Sequence, residues 1–153
     1  MGHVELATEA ARLLGGRSIA TAESCTAGRL AESLASVDKA VDFLRGGLVA
    51  YQDQVKRSFL GVTAESTLSA DAAAQMALGA CRMFESDVAV ATTGVAGDEP
   101  ADGVPPGTVF IATAVDGVVR VQRYRYEADP PTVCDLARYQ GLVDLQTALA
   151  AVR

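Results

Sequence analysis

The chain predicts an α/β fold, a mixed sheet covered by helices on both faces. Two observations lead there. Helix-like and strand-like segments alternate through most of the sequence, and a strand hairpin then precedes one last helix. The 153 residues are the size of one domain, 1–153, and half of them are apolar, enough for an ordinary buried core.

Each element has its own signal. Residues 4–14 place Leu6, Ala10, Leu13 and Leu14 at helical spacing, and Gly15-Gly16 end that helix. Residues 18–22 read as a short strand. Residues 26–36 read as a helix with Leu30 and Leu34 on one face and Thr26 or Ser24 as its cap. Residues 43–51 read as a second strand, in which Gly46-Gly47 mark a bulge or a close backbone approach. Residues 52–60 form a short helix closed by Gly61.

Residues 69–85 are the clearest helix. Ser69 and Asp71 suit its start, and Ala73, Met76, Ala77, Ala80, Cys81 and Phe84 form a stripe. Residues 88–92 are a short apolar strand, 93–97 a turn, and 98–106 a loop of Pro, Asp and Gly. Residues 108–115 and 118–126 alternate like strands around Asp116-Gly117, a hairpin signal. Residues 132–152 make the last helix, beginning after Pro130-Pro131.

Composition removes several function classes. No apolar run reaches the roughly 18 residues of a membrane span, and the N-terminus carries no charged segment followed by an apolar one. The expectation is a soluble, cytoplasmic protein without a membrane partner. A formal charge of −6 argues against nucleic acid as the main partner, and the scarcity of aromatic residues argues against a base-stacking platform.

Cys25, Cys81 and Cys134 are far apart and form no C-x-x-C pair, so neither a zinc site nor a disulfide framework is signalled. Cys81 and Cys134 read as small buried hydrophobes, and Cys25 as a lesser nucleophile without a histidine to activate it. His3 is the single histidine and lies near a terminus expected to be mobile. A Ser–His–Asp triad and a His-rich metal site are thereby excluded, and no metal is expected.

The segment Thr21-Ala-Glu23-Ser24-Cys25-Thr26-Ala-Gly28 puts a serine on a strand-to-helix turn. Unpaired N–H groups and the helix dipole favour negative charge there. Such a turn can hold a nucleophile, an anion-binding loop or only a helix cap. A nucleophilic serine needs a base. Arginine stays protonated, so Lys56 and Lys39, the two lysines of the chain, are the natural candidates, with carboxylates or Tyr51 behind them. Glu23 reads as an acceptor for backbone N–H groups in preference to a partner for Lys56. The site is expected at the carboxyl ends of the strands, where the 23–26 turn, Tyr51 with Lys56, and 93–97 can meet.

Four motifs together resemble a known family: residues 21–28, Gly46-Gly47-Leu-Val-Ala-Tyr51 with Lys56 five residues on, Thr93-Gly-Val-Ala-Gly97, and Gly107-Thr-Val-Phe-Ile-Ala112. In this order and spacing they resemble the C-terminal domain of the CinA family, which also occurs as a stand-alone nicotinamide mononucleotide (NMN) deamidase. The resemblance covers roughly residues 5–152 and does not rest on any one motif. It implies a three-layer α/β/α sandwich with a mixed, roughly five-stranded sheet. It also implies hydrolysis of the NMN carboxamide to nicotinate mononucleotide and ammonia, without a cofactor. The partner would be a small-molecule nucleotide substrate, and self-association, most simply a dimer, is expected.

Carried onto this chain, the resemblance makes Ser24 the nucleophile and Lys56 and Tyr51 its catalytic companions. Thr26, Gly28, Thr93 and Gly94 become candidate substrate contacts. The chain departs from the family pattern in the phosphate-binding half. Gly97 is followed by Asp98-Glu99-Pro100-Ala101-Asp102 where members carry a glycine-rich loop, and carboxylates repel a phosphate. Residues 66–69 shorten a further loop. Residues 128–131 lack the arginine that members commonly carry, and Cys134 stands where another is often found. Three readings follow: an NMN-type amidohydrolase, an amidase acting on a non-phosphorylated amide, and a non-catalytic homologue that binds a nucleotide or a protein.

Overall fold

Strand composition decides how the layers stack. In the computed structural model, which describes residues 2–152, five strands form one mixed sheet in the order β2-β1-β3-β4-β5. They are β1 (Ile19–Glu23), β2 (Leu44–Val49), β3 (Val88–Gly94), β4 (Thr108–Val115) and β5 (Val118–Arg125). The first three run parallel, and β4 and β5 run antiparallel to their neighbours. Along β1, β3 and β4 the two faces differ. Ile19, Val88, Val90, Val109, Ile111 and Val115 face one way, and Ala20, Ala22, Ala89, Ala91, Ala112 and Ala114 the other.

The aliphatic face packs against α1 (His3–Leu14), α2 (Arg29–Ala35) and α5 (Pro130–Ala151). The alanine face receives α3 (Asp53–Leu60) and α4 (Ala70–Phe84). α4 presents Ala72, Ala73, Met76, Ala77 and Ala80 to it, so small side chains meet small side chains and the layers approach closely. This is the three-layer α/β/α arrangement expected.

Gly79 continues that logic between helices. A Cβ there would stand 2.2 Å from the Leu60 carbonyl oxygen. Gly79→Ala is expected to cost about 2 kcal/mol or more, since backbone cannot yield as a side chain would. A lowered urea midpoint checks it, and an unchanged midpoint would show that α3 and α4 can separate without penalty.

Several boundaries differ from the sequence reading. α2 begins at Arg29 because Ala27 and Gly28 take left-handed backbone, with φ of 47° and 98°. Neither Ser24 nor Thr26 caps it. Gly28 occupies the cap position, and Glu23 supplies the acceptors from the end of β1. β3 runs on to Gly94, because Thr93 and Gly94 pair with Phe110 and Val109 instead of turning. α5 starts at Pro130, with prolines in its first turn, where a missing N–H costs nothing. His3 is not part of a loose end. It lies in α1, and its Nδ1 is 3.0 Å from the Ser33 hydroxyl. Gly46-Gly47 serve both expected purposes: the β1–β2 register shifts at Ile19/Ala20, and a Cβ at Gly47 would stand 2.3 Å from Thr21 Oγ1. Among the described residues no helix is long and apolar enough to cross a membrane.

Candidate active site

The parallel strands β1, β2 and β3 all end on one side of the sheet, and the pocket lies beyond those ends. It measures about 360 Å³. Ser24 and Cys25 enter it from the end of β1, Tyr51 from the end of β2, and Gly94 to Gly97 from the end of β3. Asp53 and Lys56 come from α3, Leu68 from the segment before α4, and Ala101 and Asp102 from the loop before β4.

Glu23 holds the turn in place. Its carboxylate is buried and accepts four hydrogen bonds. The Leu30 N–H and the Thr26 hydroxyl donate to Oε1 at 2.8 and 2.7 Å, and the Ala31 N–H and the Thr21 hydroxyl to Oε2 at 2.9 and 3.0 Å. The residue that ends β1 thus satisfies the start of α2, as the sequence reading favoured, and Ser24 is released from capping. The Ser24 N–H donates to the Thr92 carbonyl at 3.1 Å. Its hydroxyl makes no hydrogen bond among the described residues, and the N–H groups of Cys25 and Thr26 enter no backbone hydrogen bond.

Lys56 is the unusual group. The residue is only 2% exposed; its amine makes no hydrogen bond and no ion pair among the described residues, but it is not sealed in the core and opens into the pocket. Burial lowers its pKa from the ordinary 10.5, and the carboxylates of Asp53 and Asp102 oppose that shift. Neutral amine is therefore available closer to physiological pH than for a solvated lysine. Cys25 goes the other way. Burial, reinforced by Cys134, pushes its thiol up to about 12, so it carries no thiolate at neutral pH.

The structure brings Ser24, Lys56, Tyr51 and Gly94 together and leaves other expected contacts out. Tyr51 is 65% exposed and stands at the pocket mouth. Thr26 is fully buried, its hydroxyl bonded to Glu23 and within 2.8 Å of Thr92 Oγ1. Thr93 is fully buried and donates to the Thr67 carbonyl. Gly28 lies outside the pocket lining and serves the backbone turn. Thr26 and Thr93 are thus supports, because strand alternation and the Glu23 cap turn their hydroxyls inward. Lys39 is not in the pocket lining.

Two carboxylates are additions. Asp53 lies one turn before Lys56 on α3 and accepts from the Thr67 hydroxyl at 2.6 Å, which Thr93 steadies in turn. The i, i+3 spacing of Asp53 and Lys56 on the 52–60 helix was the available signal, and the sequence reading gave Asp53 no role. Asp102, in left-handed backbone at φ 49°, accepts from the Ser66 hydroxyl at 3.0 Å. Among the described residues no arginine lines the pocket. Arg29 is paired with Asp135, and Arg125 faces a separate depression with Asp98 and Glu127. Among the described residues no group of three or more His, Cys, Asp and Glu could hold a metal ion.

Comparison with known proteins agrees with this architecture. Residues 4–149 match the model of the CinA C-terminal domain. A CinA-like protein of Mycolicibacterium vanbaalenii is 45% identical over 121 residues, covering 74% of this chain and 28% of that protein. Protein YdeJ of Escherichia coli K12 is 37% identical over 133 residues, covering 83% and 77%. The chain thus spans little more than a quarter of the mycobacterial relative. A crystal structure of a CinA superfamily protein from Klebsiella pneumoniae 700603 superposes with a TM-score of 0.93 at 34% identity, covering 99% of both chains. On sequence and on fold, the chain belongs to the CinA C-terminal domain family.

Proposed function

We propose that this protein is an amidohydrolase of the NMN deamidase type, a cytoplasmic enzyme that works as a homodimer without a cofactor. One observation carries the reading: a lysine whose pKa burial lowers lines the same pocket as a serine freed from helix capping. Neutral Lys56 takes the Ser24 proton as Oγ attacks the carboxamide carbon. The N–H groups of Cys25 and Thr26 and the Tyr51 hydroxyl stabilise the tetrahedral oxyanion. The Lys56 ammonium then protonates the departing nitrogen, and ammonia leaves a Ser24 ester. Lys56 next takes a proton from water, which attacks the ester. The carboxylate departs and the serine regains its proton.

The test is incubation of pure protein with NMN and an assay of ammonia. Release is expected. A folded protein that releases none at high enzyme concentration would count against NMN as the substrate, and one that releases none from its phosphate-free riboside either would count against amide hydrolysis. A pocket with no arginine among the described residues and with Asp102 at its edge supports a second reading, a homologue that binds without turnover. Calorimetric binding of NMN without ammonia release would select it.

A further inference from the structure

Charge in the pocket has a consequence for its substrate. Asp53 and Asp102 both line it, and each uses one carboxylate oxygen on a hydroxyl donor, Thr67 and Ser66 respectively. The other oxygen of each makes no bond among the described residues. The one basic side chain there, Lys56, must be neutral to accept a proton from Ser24. Among the described residues the competent pocket therefore holds two carboxylates and no cation, and is net negative.

A phosphate dianion needs the opposite: guanidinium groups, or a run of N–H groups free of nearby carboxylates. The neighbouring depression does not repair this. It shares Gly97 with the pocket and contains Arg125, but Asp98 and Glu127 line it as well.

Resting on the amidohydrolase reading, we infer that the site takes a carboxamide attached to a cationic, phosphate-free scaffold. A pyridinium carboxamide nucleoside has that chemistry. Its amide reaches Ser24, its ring cation lies among Asp53 and Asp102, and no anion has to be accommodated. Asp102, exposed and on a loop, sets this specificity at the rim, whereas Asp53, fixed by Thr67, sets it inside.

Nicotinamide riboside and NMN test this directly, because they share the cationic ring and differ by the phosphate alone. The wild-type protein is expected to show kcat/KM at least about tenfold higher for the riboside, a factor equivalent to about 1.4 kcal/mol. Asp102→Asn is expected to shrink that ratio several-fold, chiefly by lowering KM for NMN. Asp102 is exposed, so the variant is expected to fold as wild type does, and circular dichroism checks it.

Equal or better kcat/KM with NMN would overturn this inference and leave the amidohydrolase reading standing. An unchanged ratio in Asp102→Asn would remove the carboxylate as its cause. Ammonia from neither compound, with folded protein, would overturn the amidohydrolase reading and this inference with it.

Discussion

Lys56→Met is expected to abolish amide hydrolysis and at the same time raise the melting temperature. Lys56 is 2% exposed and lines the pocket, where burial disfavours its charge; methionine keeps most of the side-chain volume and removes that partly desolvated amine. Loss of the base should lower kcat by at least about 10³-fold. Ser24→Ala should do the same, and the double variant should be no worse than either, because the two act in one proton transfer.

The stability gain depends on pH. The folded-state pKa of Lys56 lies below 10.5. Below that lowered value, folded wild type carries the charged amine at the cost of its partial desolvation, offset in part by Asp53 and Asp102. Between it and 10.5 the folded protein has lost a proton that the unfolded chain keeps, so wild-type stability rises with pH. The advantage of methionine should therefore be largest near neutrality, several degrees at about 2–4 °C per kcal/mol for a chain of this size, and shrink toward pH 10. The rate of wild type should rise with pH through an apparent pKa below 10.5. A Lys56→Met protein that keeps its activity would sink the assignment of the base. One that melts lower than wild type at pH 7 would sink the account of the buried amine.

Glu23→Ala is expected to be the most destabilising single change at the site. It removes one buried carboxylate and orphans four donors at once: two hydroxyls and two N–H groups at the start of α2. A buried donor left unsatisfied costs about 1–3 kcal/mol, and partial relaxation still leaves a loss of about 4 kcal/mol or more. Glu23→Gln should recover only part, since its amide NH₂ would face donors with a donor. Activity should fall as well, because Ser24 stands on the turn that the carboxylate organises. The check is a urea titration of both variants against wild type. A Glu23→Ala midpoint within error of wild type would show that water replaces the carboxylate.

Ser69→Ala is a smaller companion. The Ser69 hydroxyl accepts from the Ala72 N–H at 3.1 Å, so its loss should cost about 1 kcal/mol. A melting temperature unchanged by this substitution would deny the cap.

The boundaries that could be read from sequence were those fixed by local chemistry. Asp116-Gly117 set the hairpin, and β4 begins and ends where alternation placed it. Ser69 set the start of α4. Misplaced boundaries were those decided across the sheet. Thr93-Gly94 look like a turn in isolation, yet pairing with β4 keeps them extended. Thr26 looks like a cap, yet an acid from the preceding strand does that work. In both cases a hydrogen bond to a distant or unexpected partner outweighed a local preference.

The candidate site divides in the same way. Residue types alone pointed to a serine with a lysine as the candidate pair: one histidine argued against the familiar triad, and the chain offers two lysines. Only the tertiary structure decided that Lys56, not Lys39, shares the pocket with Ser24, and that burial lowers its pKa. It also turned Thr26 and Thr93 inward and placed Asp53 and Asp102 at the pocket instead. The reason is physical. Sequence records which groups are available, but the desolvation and charge that tune them depend on which strand ends and loops converge, and the sheet alone sets that.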